Sequence, residues 1–167
     1  MLSRATLLFS ILTLLSLTSC HAAGLSQKFS LVQLQIKDLQ IQVQLADTPA
    51  KRSQGLMGQS PLKHGMLLLL QQPAEMVLWM KNTPESLDVA FIDTNWRIVA
   101  IRAMQANTET LHPSERIVRA ALEMPPGWFD QANIKVGDQL IYCPEQPKLC
   151  KKHSGGAEPD SPLDVKN

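Results

Sequence analysis

Residues 87–104, with the sequence LDVAFIDTNWRIVAIRAM, contain two apolar runs separated by Asp93-Thr94-Asn95. Asp and Asn favour tight turns, and apolar, β-branched runs on both sides of such a triplet are typical of paired antiparallel strands. The stretch therefore predicts a β-hairpin whose strands cover residues 87–92 and 96–104.

Other segments on both sides of this hairpin also have strand patterns. Apolar residues alternate with glutamines through residues 27–45, which predicts two half-buried strands joined at Lys37-Asp38. Thr48-Pro49 is a helix-start signal for a short helix over residues 50–56. Short apolar runs predict further strands at residues 65–70, 76–80, 117–124 and 139–143. A helical turn is expected at residues 128–132, before the last of these strands. These elements predict a mainly β protein with short helices, of the α+β class, folded as a small antiparallel barrel-like or sandwich domain.

The composition is that of one domain without a nucleic-acid partner. The chain has 16 Lys and Arg against 15 Asp and Glu, and no basic run forms the positive stripe that a phosphate backbone requires. After the terminal segments described next are set aside, roughly 120 residues remain, which is enough for one hydrophobic core.

The N-terminus has the parts of a secretory signal over residues 1–19: Arg4, an apolar run and small polar residues. Leu17-Thr18-Ser19-Cys20 resembles the bacterial lipobox, in which the cysteine is acylated and becomes the first mature residue. We therefore expect export to the periplasm or cell envelope and a lipid anchor on Cys20 that holds the protein at a membrane. Ordinary cleavage after Ala22, which gives export without an anchor, is the open alternative.

Three further segments follow from composition. We expect a tether at residues 20–28, the folded domain at residues 29–145 and a disordered polar tail at residues 146–167. Cys143 and Cys150 remain as an even pair if Cys20 is acylated, and an oxidising compartment favours a disulfide between them. Two free thiols are the alternative.

Several short strings along the domain resemble the DUF192 family, a group of small bacterial and archaeal proteins of unassigned function. The most specific is Trp79-Met80-Lys81-Asn82-Thr83. The others are Arg52-Ser53-Gln54-Gly55-Leu56-Met57, Gly65-Met66-Leu67, Leu87-Asp88-Val89-Ala90-Phe91-Ile92-Asp93, Ala121-Leu122-Glu123-Met124 and Ile134-Lys135-Val136-Gly137-Asp138. The resemblance implies a compact β-rich fold, often exported, without an established reaction. Ser86 departs from the pattern, since the family commonly has proline there.

Trp79, Lys81, Asn82 and Asp88 are the first candidate ligand-binding residues. In a strand over residues 77–81, Trp79 and Lys81 share one face. An indole ring stacks on the apolar face of a sugar or binds a cation, and the neighbouring polar groups supply directional hydrogen bonds. The structural alternative places Trp79 in the core and pairs Lys81 with Asp88 or Asp93.

Arg52 and Glu123 are the second pair of candidates, because both fall in segments that can point inward. They form either a buried ion pair that supports the fold or part of a ligand site. A hydrolase would instead need two facing carboxylates among Asp88, Asp93 and Glu123. No hydrolase elbow, P-loop, zinc-protease or dinucleotide motif occurs, so the sequence favours a non-enzymatic role.

Thioether and imidazole side chains raise copper(I) binding as a minor alternative, but they are spread over separate strands without a repeat. They are Met57, His64, Met66, Met76, Met80 and Met104. We expect no metal and no cofactor. The sequence thus predicts an exported protein that binds a small polar ligand, such as a saccharide, with a hydrolase or an envelope interaction module as alternatives.

Overall fold

The computed structural model describes residues 27–146 and 148–150. Its elements are β1 (Ser30–Ile36), β2 (Leu39–Ala46), α1 (Pro49–Gln54), β3 (Met66–Ala74), β4 (Val77–Leu78), β5 (Leu87–Ile92), β6 (Ile98–Met104), β7 (His112–Pro113), β8 (Val118–Met124), α2 (Trp128–Gln131) and β9 (Leu140–Tyr142). The predicted signal, Cys20, Ala22 and the tail after residue 150 lie outside the described residues. Within the described part, no helix is long and apolar enough to cross a membrane.

Seven strands form one sheet in the order β6-β5-β8-β3-β2-β1-β9. The sheet curls into a half-barrel, and an isolated antiparallel bridge between Arg97 and Gln139 connects the segments leading into β6 and β9. Strands β4 and β7 form a separate two-stranded sheet. The predicted mainly β, barrel-like fold is therefore confirmed. One neighbouring pair, β2 and β3, runs parallel, because α1 and a loop connect these strands in place of a tight turn.

Local sequence signals account for the hairpins and for α1. β1 and β2 pair around Lys37-Asp38, as predicted. At the β5–β6 turn, Asp93 Oδ1 accepts hydrogen bonds from the backbone N–H groups of Asn95 and Arg97, at 2.8 and 2.9 Å. Thr48 Oγ1 accepts from the Lys51 N–H at the start of α1. Asx and N-cap contacts of this kind are the reason that the turn and helix-start residues could be identified from sequence.

Several predicted strands have different bounds in the structure; β3, for example, continues to Ala74, beyond the predicted end at residue 70. β6 begins at Ile98 and not at residue 96, because Trp96 adopts a left-handed φ of 62° within the turn. The strand predicted over residues 76–80 is reduced to Val77–Leu78. It ends there because the chain turns at Asn82, whose φ is 56°.

Two hydrophobic cores lie on opposite faces of the sheet. The first fills the inside of the half-barrel and includes Trp128 and Phe129 of α2. The second lies between the outer face and the segments that cover it, and contains Leu56, Leu68, Phe91 and four methionines: Met66, Met76, Met80 and Met104. The clustering of methionines thus has a packing role in this second core.

The end of the described chain is cross-linked. Cys143 and Cys150 are joined by a disulfide. The turn between them is also held by backbone hydrogen bonds from Leu149 and Cys150 to the Gln146 carbonyl.

Candidate functional site

A cavity of about 410 Å³ opens at the surface between α1 and β4. One wall is α1 and the residues after it, the opposite wall is the segment from Glu75 to Trp79, and the base is formed by β3 and β8. The lining combines apolar side chains with a few polar ones, which is the usual composition of a small-molecule site. Its apolar members are Pro49, Leu56, Met57, Leu68, Leu70, Met76, Val77 and Leu78.

Glu123 lies at the base of this cavity with only 5% of its surface exposed. On β8 it is in register with Met66 of β3 on one side and with Val89 of β5 on the other, and both neighbours are fully buried. This apolar setting raises the pKa of the Glu123 carboxyl to about 7, with burial as the cause. Within the described part of the chain, the carboxyl has no hydrogen-bond or ion-pair partner.

Trp79 stands at the edge of the cavity with 44% of its surface exposed. The Lys81 ammonium lies 5.2 Å from the centre of its ring and also pairs with Glu109, at 3.1 Å. The structural alternative from the sequence, with Trp79 in the core and Lys81 paired with Asp88 or Asp93, is therefore wrong. The short β4 explains the difference, because the chain leaves the strand before Trp79.

Arg52 lines the cavity from α1, and its Nη1 donates a hydrogen bond to the Leu69 carbonyl at 2.8 Å. The structure records no ion pair between Arg52 and Glu123 among the described residues. Both side chains reach the same cavity, as the sequence allowed, but from different walls. The guanidinium is held against the backbone of β3 and the carboxyl stays unpaired.

Asp88 and Asn82 serve the fold away from the cavity. Asp88 Oδ2 accepts a hydrogen bond from the Gly127 N–H at 2.7 Å, which ties β5 to the turn before α2. The carbonyl of Asn82 accepts from the Gly58 N–H at 2.9 Å, joining two loops beside the site. The six sequence candidates thus divide: Arg52, Trp79 and Glu123 line the cavity, while Lys81, Asn82 and Asp88 do not.

The carboxylates proposed for a hydrolase do not face one another. Asp88 is paired with Met124 and its neighbour Val89 with Glu123, so strand alternation places Asp88 and Glu123 on opposite faces of the sheet. Asp93 is bound within the β5–β6 turn. The two-carboxylate arrangement required for glycoside hydrolysis is therefore not formed by these residues.

Sequence reasoning did not assign Thr83 or Glu75 to a ligand site and considered Met57 only as a copper(I) ligand, although all three line the cavity. Thr83 is 4% exposed and belongs to the Trp-Met-Lys-Asn-Thr string, and Met57 ends the Arg52 string. For Thr83 and Met57, membership of these two DUF192-like strings was the signal that could have pointed to the site; no such signal marks Glu75. Within residues 27–146 and 148–150, no group of three or more His, Cys, Asp or Glu side chains could hold a metal ion.

The DUF192 family, described as "Uncharacterized ACR", matches residues 32–142, which include every strand after the start of β1. The chain belongs to the DUF192 family. No match was found among curated proteins.

Two solved structures resemble this DUF192 protein over most of its chain. One is a protein of Sinorhizobium meliloti 1021 that carries the provisional description of a transcription regulator; it has 27% sequence identity and a TM-score of 0.66, covering 70% of this chain and 96% of that one. The other is a protein of unknown function from Novosphingobium aromaticivorans DSM 12444, with 28% identity and a TM-score of 0.61, covering 68% of this chain and 85% of that one.

The residue that departs from the DUF192 pattern has a role of its own. The Ser86 hydroxyl accepts a hydrogen bond from the Ala106 N–H at 3.1 Å. This contact joins the segment before β5 to the loop after β6. A hydroxyl thus supports the turn where the family commonly has proline.

Proposed function

We propose that this DUF192 protein is exported and binds a small polar ligand in the cavity between α1 and β4. The observation that carries the proposal is the position of Glu123. A carboxyl that is buried without a partner destabilises a folded protein, and groups of this kind concentrate at functional sites. A ligand with a hydrogen-bond donor would supply the missing partner.

The remaining lining supports the same proposal. Trp79 provides a large, partly exposed apolar surface at the edge, and apolar side chains from both walls can enclose the body of a ligand. A saccharide stacked on Trp79 is one ligand of this type. The cavity volume of about 410 Å³ is within the range of sites for small molecules.

Fluorescence offers a direct test, because Trp79 is exposed whereas Trp96 and Trp128 are 4% and 5% exposed. A library of saccharides, amino acids and amines would be screened by Trp79 emission and by thermal unfolding. A ligand at about 100 times its dissociation constant should stabilise the protein by about 3 kcal/mol. The proposal fails if no compound changes either signal.

A pair of variants on α1 locates the binding. Ser53 lines the cavity and Ala50 does not, and both are exposed. Ser53→Phe should obstruct the opening and weaken binding at least about tenfold, since the ligand must displace the ring. Ala50→Phe adds the same ring elsewhere on the helix and should leave the affinity unchanged. Equal effects of the two variants would place the ligand elsewhere.

The proposed export and anchoring concern residues outside the described part of the chain. The Cys143–Cys150 disulfide supports export, because disulfides persist in oxidising compartments. Intact-mass measurement of the protein from its membranes tests the anchor: an acylated Cys20 at the N-terminus is expected. A chain that begins after Ala22 without acyl mass would leave export standing and remove the anchor.

A non-catalytic interaction module remains a second candidate because of one surface feature. Val77, Trp79 and Leu111 are large, exposed apolar residues at or beside the paired strands β4 and β7. Exposed apolar clusters are common at protein contacts. A photo-crosslinker at Leu111 should capture one defined envelope protein if this candidate is right, and no protein adduct if the cavity alone carries the function.

A further inference from the structure

The inner end of the cavity differs chemically from its opening. Around Glu123 the lining side chains that are buried are Leu56, Leu68, Met76 and Thr83. Thr83 contributes one hydroxyl, and its Oγ1 is 3.5 Å from the carbonyl of Lys81. The base of the cavity thus has one carboxyl, one hydroxyl and otherwise apolar walls.

This distribution disfavours ligands with many polar groups at the inner end. Each hydroxyl of a sugar that faced Leu56 or Leu68 would lose its hydrogen bonds to water without replacement, which typically costs about 1–3 kcal/mol. An anion would face the Glu123 carboxylate. A ligand with one donor group and an apolar body satisfies the carboxyl and leaves no group unpaired.

The charged side chains of the lining also favour a ligand whose donor group lies at the base of the cavity. Arg52 and Glu75 are the other charged residues of the lining; Arg52 is on α1 and Glu75 directly follows β3. Arg52 is hydrogen-bonded to Leu69 and Glu75 is exposed, so Glu123 is the charged group available at the base. A positive group placed deep in the cavity would pair with the Glu123 carboxylate in an apolar setting, where pairs of opposite charges attract most strongly.

We infer that the cavity selects a small organic cation, a primary ammonium on a short apolar body, whose charged end pairs with the Glu123 carboxylate. This inference rests on the proposed function and specifies its ligand class. The apolar body packs against Leu68, Met76 and the side chains nearer the opening. Trp79 covers the outer end of the bound molecule.

The pH dependence follows from the ionisation of Glu123. Only the ionised carboxyl forms the pair, and burial holds its pKa at about 7 in the free protein. The apparent affinity is reduced by the fraction of protein in the binding form, so it should fall by at least about tenfold from pH 8 to pH 5.5. Arg52 and Glu75 are the other charged groups of the cavity lining, and Glu123→Gln isolates its contribution from theirs.

A matched pair of probes tests the inference on the purified protein. Hexylamine and hexanol have the same apolar body and differ in the charged group. Their binding would be measured at pH 8 by calorimetry and by the NMR signal of the Trp79 indole N–H, which locates the ligand. Hexylamine should bind at least about tenfold more tightly than hexanol.

Two carboxyl variants complete the design. Glu123→Gln keeps the shape of the side chain and should weaken hexylamine binding at least tenfold and abolish its pH dependence. Asp130→Asn removes one exposed negative charge on α2, outside the cavity lining, and should change the affinity by no more than about twofold. Circular dichroism and thermal unfolding establish that both variants are folded.

The outcomes separate this inference from the proposed function. If hexanol binds as tightly as hexylamine, or if Glu123→Gln retains hexylamine binding, the inference is overturned while ligand binding in the cavity stands. If only a saccharide or another neutral compound binds, the inference is again overturned and the function stands. If no compound binds at the Trp79 signal, both are overturned.

Discussion

At the scale of single residues, Glu123 and Asp88 are both acidic and stand on neighbouring strands, but their surroundings give them opposite roles. Glu123 is enclosed by Met66 and Val89 and has burial as the cause of its raised pKa. Asp88 accepts a hydrogen bond from the Gly127 N–H and supports a turn. Charge alone therefore does not identify a site; Glu123 differs from Asp88 because it is buried at a cavity and has no partner among the described residues.

Glu123→Gln should stabilise the protein at pH 8. Burial raises the pKa of Glu123 from 4.5 to about 7, so the folded state holds the proton more tightly than the unfolded state does. The raised pKa contributes fully to the free energy of unfolding below pH 4.5. This contribution is lost as the pH rises through about 7, which lowers the free energy of unfolding by about 3 kcal/mol. The measurement is urea unfolding of both proteins from pH 4 to pH 8.5.

The difference between the two proteins isolates this group from other titrating residues. The free energy of unfolding of the wild type relative to Glu123→Gln should decrease with rising pH and then level off above about pH 8. A pH-independent difference would mean that the carboxyl is solvated, and a difference that increases with rising pH would mean that it is paired with a positive group.

Asp88→Ala should lower the free energy of unfolding by about 2 kcal/mol, because a hydrogen bond to a charged acceptor is lost and the Gly127 N–H is left unpaired. Asp88→Asn retains an oxygen acceptor and should lose less than half of that. Ligand affinity should be unchanged in both variants. If Asp88→Ala instead lost ligand binding while its free energy of unfolding stayed unchanged, Asp88 would belong to the binding site.

At the scale of elements, the close approach of the segment before β3 to β8 shapes the base of the cavity. A Cβ atom at Gly65 would overlap the carbonyl oxygen of Glu123 and the sulfur of Met124. Gly65 also accepts the Gln44 N–H at 2.9 Å, beside the parallel pairing of β2 and β3. The glycine is therefore required by contact distance, since only a hydrogen fits there.

Gly65→Ala should destabilise the protein by at least about 2 kcal/mol, because the backbone of β8 cannot move aside as a flexible side chain would. Gly58→Ala provides a comparison: its Cβ would meet nothing within 4 Å, and its cost is limited to the left-handed φ of 71°. Thermal unfolding of the two variants measures the difference. Equal or smaller loss in Gly65→Ala would contradict the close packing of these segments.

The elements that are determined by residues close to one another in the sequence were predictable. The β1–β2 and β5–β6 hairpins and α1 follow from alternation, turn residues and the Thr48-Pro49 signal. The parallel pairing of β2 and β3 and the pairing of β4 with β7 depend on distant contacts, for which local patterns carry no information. The end of β4 before Trp79 is the local feature that was missed, and it moved Trp79 from a predicted strand face to the cavity edge.

The candidate site was predictable only in part for the same reason. Glu123 was identified because it interrupts an apolar strand, and strand alternation correctly allowed an inward position. Lys81 and Asn82 were grouped with Trp79 by sequence proximity, but the turn at Asn82 separates them from the cavity. The cavity forms because α1 and β4 lie on either side of it, and no local sequence pattern indicates that arrangement.

At the scale of the whole molecule, a curled sheet with its own internal core leaves its outer face available for a second core and a cavity. Trp128 and Phe129 occupy the inside of the half-barrel, and the cavity lies on the outer side of the sheet. Membership of the DUF192 family and two solved structures with a similar fold establish this architecture. The cavity residues, not the fold, carry the proposed function.

The disulfide at the end of the domain should contribute about 2 kcal/mol to stability, since it closes a short loop between Cys143 and Cys150. The Cys143→Ser, Cys150→Ser double variant should unfold at a temperature several degrees lower and retain ligand binding. Reductant should lower the wild-type unfolding temperature and leave the variant unaffected. An identical temperature for wild type with and without reductant would indicate two free thiols.

Glu123 is a buried carboxyl at the base of the cavity, without a partner among the residues that the structure describes. An NMR titration of the carboxyl carbon of Glu123, assigned by comparison with Glu123→Gln, tests this placement most directly. We predict that the Glu123 carboxyl has a pKa of about 7 in the free protein and that this pKa decreases when hexylamine is bound. A pKa near the ordinary value of 4.5 in the free protein would contradict it.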